Sequence, residues 1–338
     1  MTTPGEMMTR LRGSLARWEV FLLFVLAGTF VFGAHVSRYF LTSSNLSIAL
    51  AGMTPAAIVA LPMTLIIVTG EIDISVGSIV GLCAAFMAVC LEHRLPVEVA
   101  MLLGVVVGTF AGLLNGLIVV YGALPSLVVT IGTLALYRGI AQIILKERGI
   151  SGFPEWYQNI GFGTIDGTPI PWSSIIFCLF FIGFAVFLHA THWGRALYAI
   201  GNNAGAARYS GINVKRAILG VFVASGAMSS LAAIILTAYL ASARSDTAVG
   251  LELPVITAVV LGGVNIFGGA GTLAGVLIAL LVLAFVQNAL GLASVTPEEQ
   301  QIVTGAVLIA TLILFGAADL IKKARATLWR NLRRSQNL

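Results

Sequence analysis

The sequence predicts an all-α polytopic integral membrane protein, and three observations carry that expectation. Hydrophobic residues make up 58% of the 338-residue chain and charged residues 10%, with a mean hydropathy of +0.99. A soluble domain carries about 25% charged residues, and a sphere of this size cannot hide so much apolar surface from water. The apolar residues also gather into runs close to the ~20 residues that cross a bilayer. Finally, no open sheet crosses lipid with unpaired edges, which leaves helices.

Ten runs qualify, two of them short: 18–36, 46–69, 76–91, 97–120, 125–145, 172–189, 217–240, 253–264, 271–290 and 300–318. The first follows a basic stretch but is not followed by a small-residue cleavage site, so it reads as a retained span. The expected organisation is a tail at 1–17, a transmembrane domain at 18–320 and a basic tail at 321–338. Cys83, Cys90 and Cys178 lie inside the runs without metal-ligand spacing and read as small packing residues.

The net charge of +5 maps onto loops rather than onto a nucleic-acid surface. With the N-terminus inside and ten alternating spans, the inner side receives thirteen Lys and Arg. They are Arg10, Arg12 and Arg17, then Arg195, Arg208, Lys215 and Arg216, and then Lys322, Lys323, Arg325, Arg330, Arg333 and Arg334. The outer side receives five: Arg38, Arg94, Lys146, Arg148 and Arg244. That asymmetry predicts both termini in the cytoplasm. Trp156, Tyr157 and Trp172 in the outer loop 146–171 read as interface markers, or alternatively as a platform for an external binding protein.

The longest polar interruption, Thr191 to Arg216, carries four basic and no acidic residues. It reads either as a topology-setting loop or as a docking helix for a cytoplasmic partner. Two further stretches, TGEIDISVGSIVG (69–81) and LGGVNIFGGAGTLAG (261–275), break an apolar run with glycines and then resume it. GSIVG and GTLAG match in pattern six spans apart, which suggests a parallel internal repeat. A broken helix is tolerated in a membrane only when buried in protein or lining a wet cavity. Glu71 and Asp73 are therefore expected to point inward, or Asp73 or Ser75 caps the following helix. Arg138, with Gln142 one turn on, either snorkels to the outer interface or lines a polar path. Asn115, between Gly112 and Gly116, reads as close helix packing.

The chain has no GxxxxGK[ST] phosphate loop, HExxH, CxxC pair or nucleophile elbow. Catalysis by the chain itself is not expected. An ion-gradient transporter and a membrane anchor stand as rival readings. Glycine-broken spans argue against a plain anchor, which gains nothing from backbone exposed in lipid.

MTLIIVTGEIDISVGSIVGL (63–82), GRALYAIGNNAGAARYSGINV (194–214) and ITAVVLGGVNIFGGAGTLAG (256–275) resemble the permease subunits of ABC-type sugar importers. The similarity covers the chain from about residue 40. It is nearest the ribose, xylose, rhamnose and autoinducer-2 branch, with SARSD (242–246) most similar to the autoinducer-2 permeases.

The resemblance implies a non-enzymatic subunit in a bacterial inner membrane that binds no cofactor itself. ATP and Mg would be used by separate ATP-binding cassette subunits. A second permease subunit and a periplasmic solute-binding protein complete the implied assembly, with membrane lipid around it and no nucleic acid. It also implies coupling to the ATPase through 191–216, with Arg195, Ala206, Ala207, Arg208 and Gly211 as candidate residues. The acidic residue common in such loops is replaced here by Ala204 and Gly205, which leaves Arg208 as the charged anchor. Glu71, Asp73, Ser75, Arg138, Arg244 and Asn265 are the candidates for the translocation path.

Overall fold

A computed structural model describes residues 4–146 and 148–314, with side chains from Trp18 onward. The tail 321–338 and the side chains of 1–17 lie outside the described residues. The helices are α1 (Pro4–Val36), α2 (Ser43–Val68), α3 (Val76–Glu92), α4 (Val97–Gly122), α5 (Ser126–Leu145), α6 (Glu155–Phe162) and α7 (Trp172–Ala190). They continue with α8 (His192–Asn202), α9 (Ala204–Tyr209), α10 (Val214–Leu240), α11 (Glu252–Leu261), α12 (Leu273–Leu292) and α13 (297–314). Each of the ten apolar runs overlaps a helix among the described residues. Among the described residues, seven are long and apolar enough to cross a membrane, whereas α3 and α11 are shorter. A polytopic membrane protein follows.

The helical reading needs one small amendment. Ile150–Ser151 (β1) and Ser242–Ala243 (β2) form a two-residue antiparallel pair. Closed between two loops, its few backbone groups pair with each other and expose no long edge.

The centre is built on α2 and α10. Helix α2 is apolar on all sides and buried along most of its length, as an all-round hydrophobic helix must be. It starts at Thr42, whose side chain accepts from the Asn45 N–H, and it tolerates Pro55 and Pro62 inside. Tertiary packing holds it where helix propensity alone would not.

Helix α10 lies against α2 and α4. Glycines stand at every fourth residue of α4, at 104, 108, 112 and 116. A β-carbon at Gly112 would overlap the Phe222 carbonyl oxygen, and one at Gly226 would overlap the Gly108 carbonyl oxygen. Without side chains between them the two backbones approach to contact, which is how helices associate where lipid is as apolar as leucine.

Two aromatic and cysteine expectations are corrected. Tyr157 is fully buried, not interfacial; its hydroxyl is 2.9 Å from the Ile234 carbonyl and 2.6 Å from Thr237 Oγ1. Gly161, one turn later, lies against the backbone of Ala238 and Tyr239, so α6 is pressed onto α10 and carries the tyrosine inside. Trp156 and Trp172 remain half-exposed. Cys83 and Cys90 are buried, but Cys178 is on the exposed face of α7, since few elements cover that helix.

The glycine contact predicts an asymmetric response to added bulk. Gly112→Leu should cost at least about 1–3 kcal/mol, as overpacking does, and sharply reduce the monodisperse fraction on size exclusion. Gly132→Leu on α5, where a β-carbon meets nothing within 4 Å, should leave that fraction unchanged.

Candidate translocation and coupling sites

Helix α2 stops at Thr69, whose N–H turns back to the Ile66 carbonyl, and Gly70 follows with φ +84°. That left-handed conformation suits glycine. The chain then runs without regular structure to the start of α3. Asp73 is fully buried here, and its Oδ1 accepts from both the Ser75 N–H (2.9 Å) and the Ser75 hydroxyl (2.6 Å). Its Oδ2 accepts from the Ser225 hydroxyl on α10 at 3.1 Å.

Asn115 on α4 donates to Ser75 Oγ (2.8 Å), and the Tyr137 hydroxyl on α5 donates to Asn115 Oδ1 (3.0 Å). Five polar residues from four parts of the chain thus form one buried network. Asp73 faces protein rather than water. Ser75 is the N-cap residue of α3 but makes no side-chain cap bond, because its hydroxyl is engaged by Asp73. Asn115 does more than permit close packing: Gly112 and Gly116 beside it draw in α10, and its amide bridges α3 to α5. Glu71 is half-buried and outside the network.

The second break, 262–272, is held from three sides. Trp18 on α1 donates to the Leu261 carbonyl (2.8 Å), and Thr272 donates to Glu19 Oε1 (2.6 Å). On α7, His189 Nε2 accepts from the Leu273 N–H at 3.4 Å. From α8, Tyr198 donates to the Gly271 carbonyl (2.7 Å) and Asn202 to the Gly269 carbonyl (3.3 Å). Burial pushes the Tyr198 phenol up to about 12, so it stays a donor at any physiological pH.

The two breaks also touch. The Gly269 N–H donates to the Val68 carbonyl (2.9 Å), and a β-carbon at Gly268 (φ +86°) would stand 2.8 Å from the Gly70 nitrogen. A β-carbon at Gly201, near the end of α8, would overlap the Val68 carbonyl oxygen and meet the Gly269 nitrogen at 2.5 Å. Glycines 70, 201, 268 and 269 form a junction where α8 rests on both breaks at once.

The 191–216 stretch is two helices capped by their own polar residues. Thr191 accepts from the Gly194 N–H for α8, Asn203 from the Ala206 N–H for α9, and Asn213 from the Arg216 N–H for α10. Of the coupling candidates, Arg195, Ala206, Arg208 and Gly211 are exposed. Ala207 is turned inward and buried. Next to Arg208, Tyr209 is 96% exposed, an aromatic that composition gave no reason to single out. A cavity of about 420 Å³ lined by Arg208, Gly211, Ile212, Asn213, Val214 and Lys215 opens beside it.

The remaining path candidates are not brought together. Arg138 is held by the protein rather than reaching outward: Nη1 donates to the Thr247 (2.8 Å) and Ser245 (3.3 Å) carbonyls, and Nη2 to Gly77 O (3.4 Å). The loop after β2 supplies carbonyls that a helical partner would keep for itself. Arg244 is exposed and paired with Asp246 at 3.1 Å. Asn265 sits exposed in the second break, its side chain accepting from the Phe267 N–H. Sequence reasoning passed over Glu252, whose carboxylate lies against Gly77. It also passed over the buried Ser229 and Thr257 hydroxyls, which have no hydrogen-bond partner among the described residues.

The network predicts which polar residues the fold depends on. Asp73→Ala should lower stability by about 1–3 kcal/mol for each buried donor it leaves unpaired, read as a fall in the fluorescence-monitored Tm in detergent. Ser225→Ala should show a smaller fall, and Glu71→Gln none beyond about 0.5 kcal/mol.

Comparison with known proteins places this arrangement. Residues 45–312 match the family model described as the branched-chain amino acid transport system / permease component. The chain is 36% identical over 326 residues to the autoinducer 2 import system permease protein LsrD of Yersinia pseudotuberculosis serotype O:3 (strain YPIII), covering 94% of this chain and 96% of that protein. The same-named protein of Yersinia pestis (strain Pestoides F) is similar to the same extent. No solved structure matches the chain. With its membrane helices and nearly its whole length aligned, the chain belongs to the permease-component family and is the membrane-embedded permease subunit of an importer.

Proposed function

We propose that this subunit forms half of the path of an ATP-driven importer for autoinducer-2 or a similar small sugar-like solute. One observation carries the coupling half of the reading: α8 rests through Gly201 on both glycine breaks, while the neighbouring α9 presents Arg208 and Tyr209 outward. A partner gripping α9 would therefore push directly on the two places where the spans are broken. The substrate half rests on the 36% identity to autoinducer 2 import permeases.

In this reading ten spans cross the inner membrane of a bacterium with both termini in the cytoplasm, following the Lys and Arg asymmetry. The permease domain is 18–320, flanked by tails at 1–17 and 321–338. A second permease subunit completes the path, a periplasmic binding protein delivers the solute, and cytoplasmic ATP-binding cassette subunits supply ATP and Mg. The chain binds no cofactor itself.

Closure of the ATPase pair moves α8–α9, shifts the glycine junction and reorients the helices packed on it. Arg195, Ala206 and Gly211 support Arg208 at the contact, with Ala207 holding α9 to the body. An exposed arginine and tyrosine side by side are the residue types that dominate protein interfaces.

The path lies near the two breaks, with Asp73 and Ser75 fixing its walls rather than meeting the solute. Glu71 and Asn265 are the accessible groups open to a solute rich in hydroxyls, whereas the unpartnered Ser229 and Thr257 hydroxyls are buried and would meet it only after the helices reorient. Arg138 acts as a brace on the loop that also carries Arg244.

Proteoliposomes containing the complete importer test this. Arg208→Glu should abolish stimulation of ATP hydrolysis by solute-loaded binding protein, with the variant still eluting as folded protein. Gly201→Val should uncouple hydrolysis from uptake while the assembly persists. Uptake by this chain without any nucleotide-hydrolysing partner would overturn the reading.

A further inference from the structure

Helix α7 packs on α2, α6 and α8 but makes no extended contact with α10. The gap between them is a cavity of about 700 Å³, within the ~300–1,000 Å³ of small-molecule sites. Its walls are apolar: Leu179 and Phe184 on α7, Leu65 on α2 and Val221 on α10. Gly183 and Gly220 face each other's helices with nothing within 4 Å of a β-carbon, so the space is open on both sides. Such a lining offers water too few polar partners to hold it in place.

One end of the cavity differs. Arg216, in the first turn of α10, and Trp193 of α8 close it. Neither of the ion pairs among the described residues, Arg148–Glu92 and Arg244–Asp246, involves Arg216. The neighbouring Lys215 is directed elsewhere, its ammonium 5.2 Å from the centre of the Tyr121 ring. No acidic residue occurs between 191 and 216 to neutralise the arginine from within the same stretch. Trp193 is 52% exposed at this end, where an amphipathic ring suits the headgroup level.

We propose that the cavity is a binding site for an anionic phospholipid, with an acyl chain between α7 and α10 and the headgroup phosphate on Arg216. Basic pockets between membrane helices take such headgroups, and the apolar walls match a hydrocarbon chain as no soluble anion would. This rests on the orientation proposed above, which puts α8 on the cytoplasmic, lipid-anionic side. The occupant would fill the space behind α8 and stiffen the support on which α8 and α9 stand.

Native mass spectrometry of the purified full chain, titrated with dioleoylphosphatidylglycerol or dioleoylphosphatidylcholine, tests the site. One phosphatidylglycerol should be retained in preference to phosphatidylcholine. Arg216→Gln should weaken that retention about tenfold, the size of one charge-assisted hydrogen bond. Gly183→Leu should remove it by filling the cavity, and Gly220→Leu should do the same from the opposite wall; Gly132→Leu, facing open space on α5, should change nothing. Equal retention of both lipids, displacement by inorganic phosphate, or retention unaltered in Arg216→Gln and both cavity-filling variants would overturn the proposal. A change of oligomeric state in those variants without loss of lipid would also overturn it and assign the cavity to a second copy of the chain. Because the readout needs no ATPase, failure here is distinct from failure of the transport reading.

Discussion

The contact between α4 and α10 is the constraint on which the rest of the described structure depends. Lipid supplies no hydrophobic force between helices, so association must come from close packing and polar bonds. Gly108, Gly112 and Gly226 allow the two backbones to touch. That approach places Asn115 of α4 and Ser225 of α10 close enough to reach the chain between α2 and α3. Asp73 and Ser75 are satisfied there by partners that exist only because the helices have met. The same packing excludes water and supplies the hydrogen bonds that make the exclusion tolerable.

The two helix breaks are handled by different means. At the first, a side-chain network from α4, α5 and α10 satisfies the polar groups around Asp73. At the second, helices α1, α7 and α8 supply donors and acceptors to backbone groups between Leu261 and Leu273. The breaks then lean on each other at Gly70 and Gly268, with Gly201 of α8 wedged against both. Packing this tight cannot deform gradually, because cores transmit strain rather than absorb it. In the proposed importer, that stiffness lets a displacement at α9 reach the spans without being lost on the way.

Polar residues inside the membrane region divide into those that hold the fold and those left open. Arg138 belongs to the first group, since its guanidinium ties α5 to the loop after β2 and to α3. Tyr157 does too, since its hydroxyl ties α6 to the Ile234 carbonyl of α10. The hydroxyls of Ser229 and Thr257 belong to the second group only in lacking a hydrogen-bond partner among the described residues, since both side chains are buried.

Much of this was legible in the residues. Long apolar runs fixed the helices, glycine clusters marked both breaks, and the stretch 191–216 stood out through its basic, acid-free composition. Capping by Thr191, Asn203 and Asn213 is local chemistry, yet in sequence the stretch reads only as a loop or a docking helix, and its division into α8 and α9 comes from the structure. Other features needed the tertiary structure: that Asp73 meets Ser225, that Tyr157 is buried, that Arg138 is occupied, and that Tyr209 rather than Ala207 faces out. Each joins residues distant along the chain, or depends on which side of a helix its neighbours cover. Periodicity states that a helix has faces, but only packing decides what each face meets.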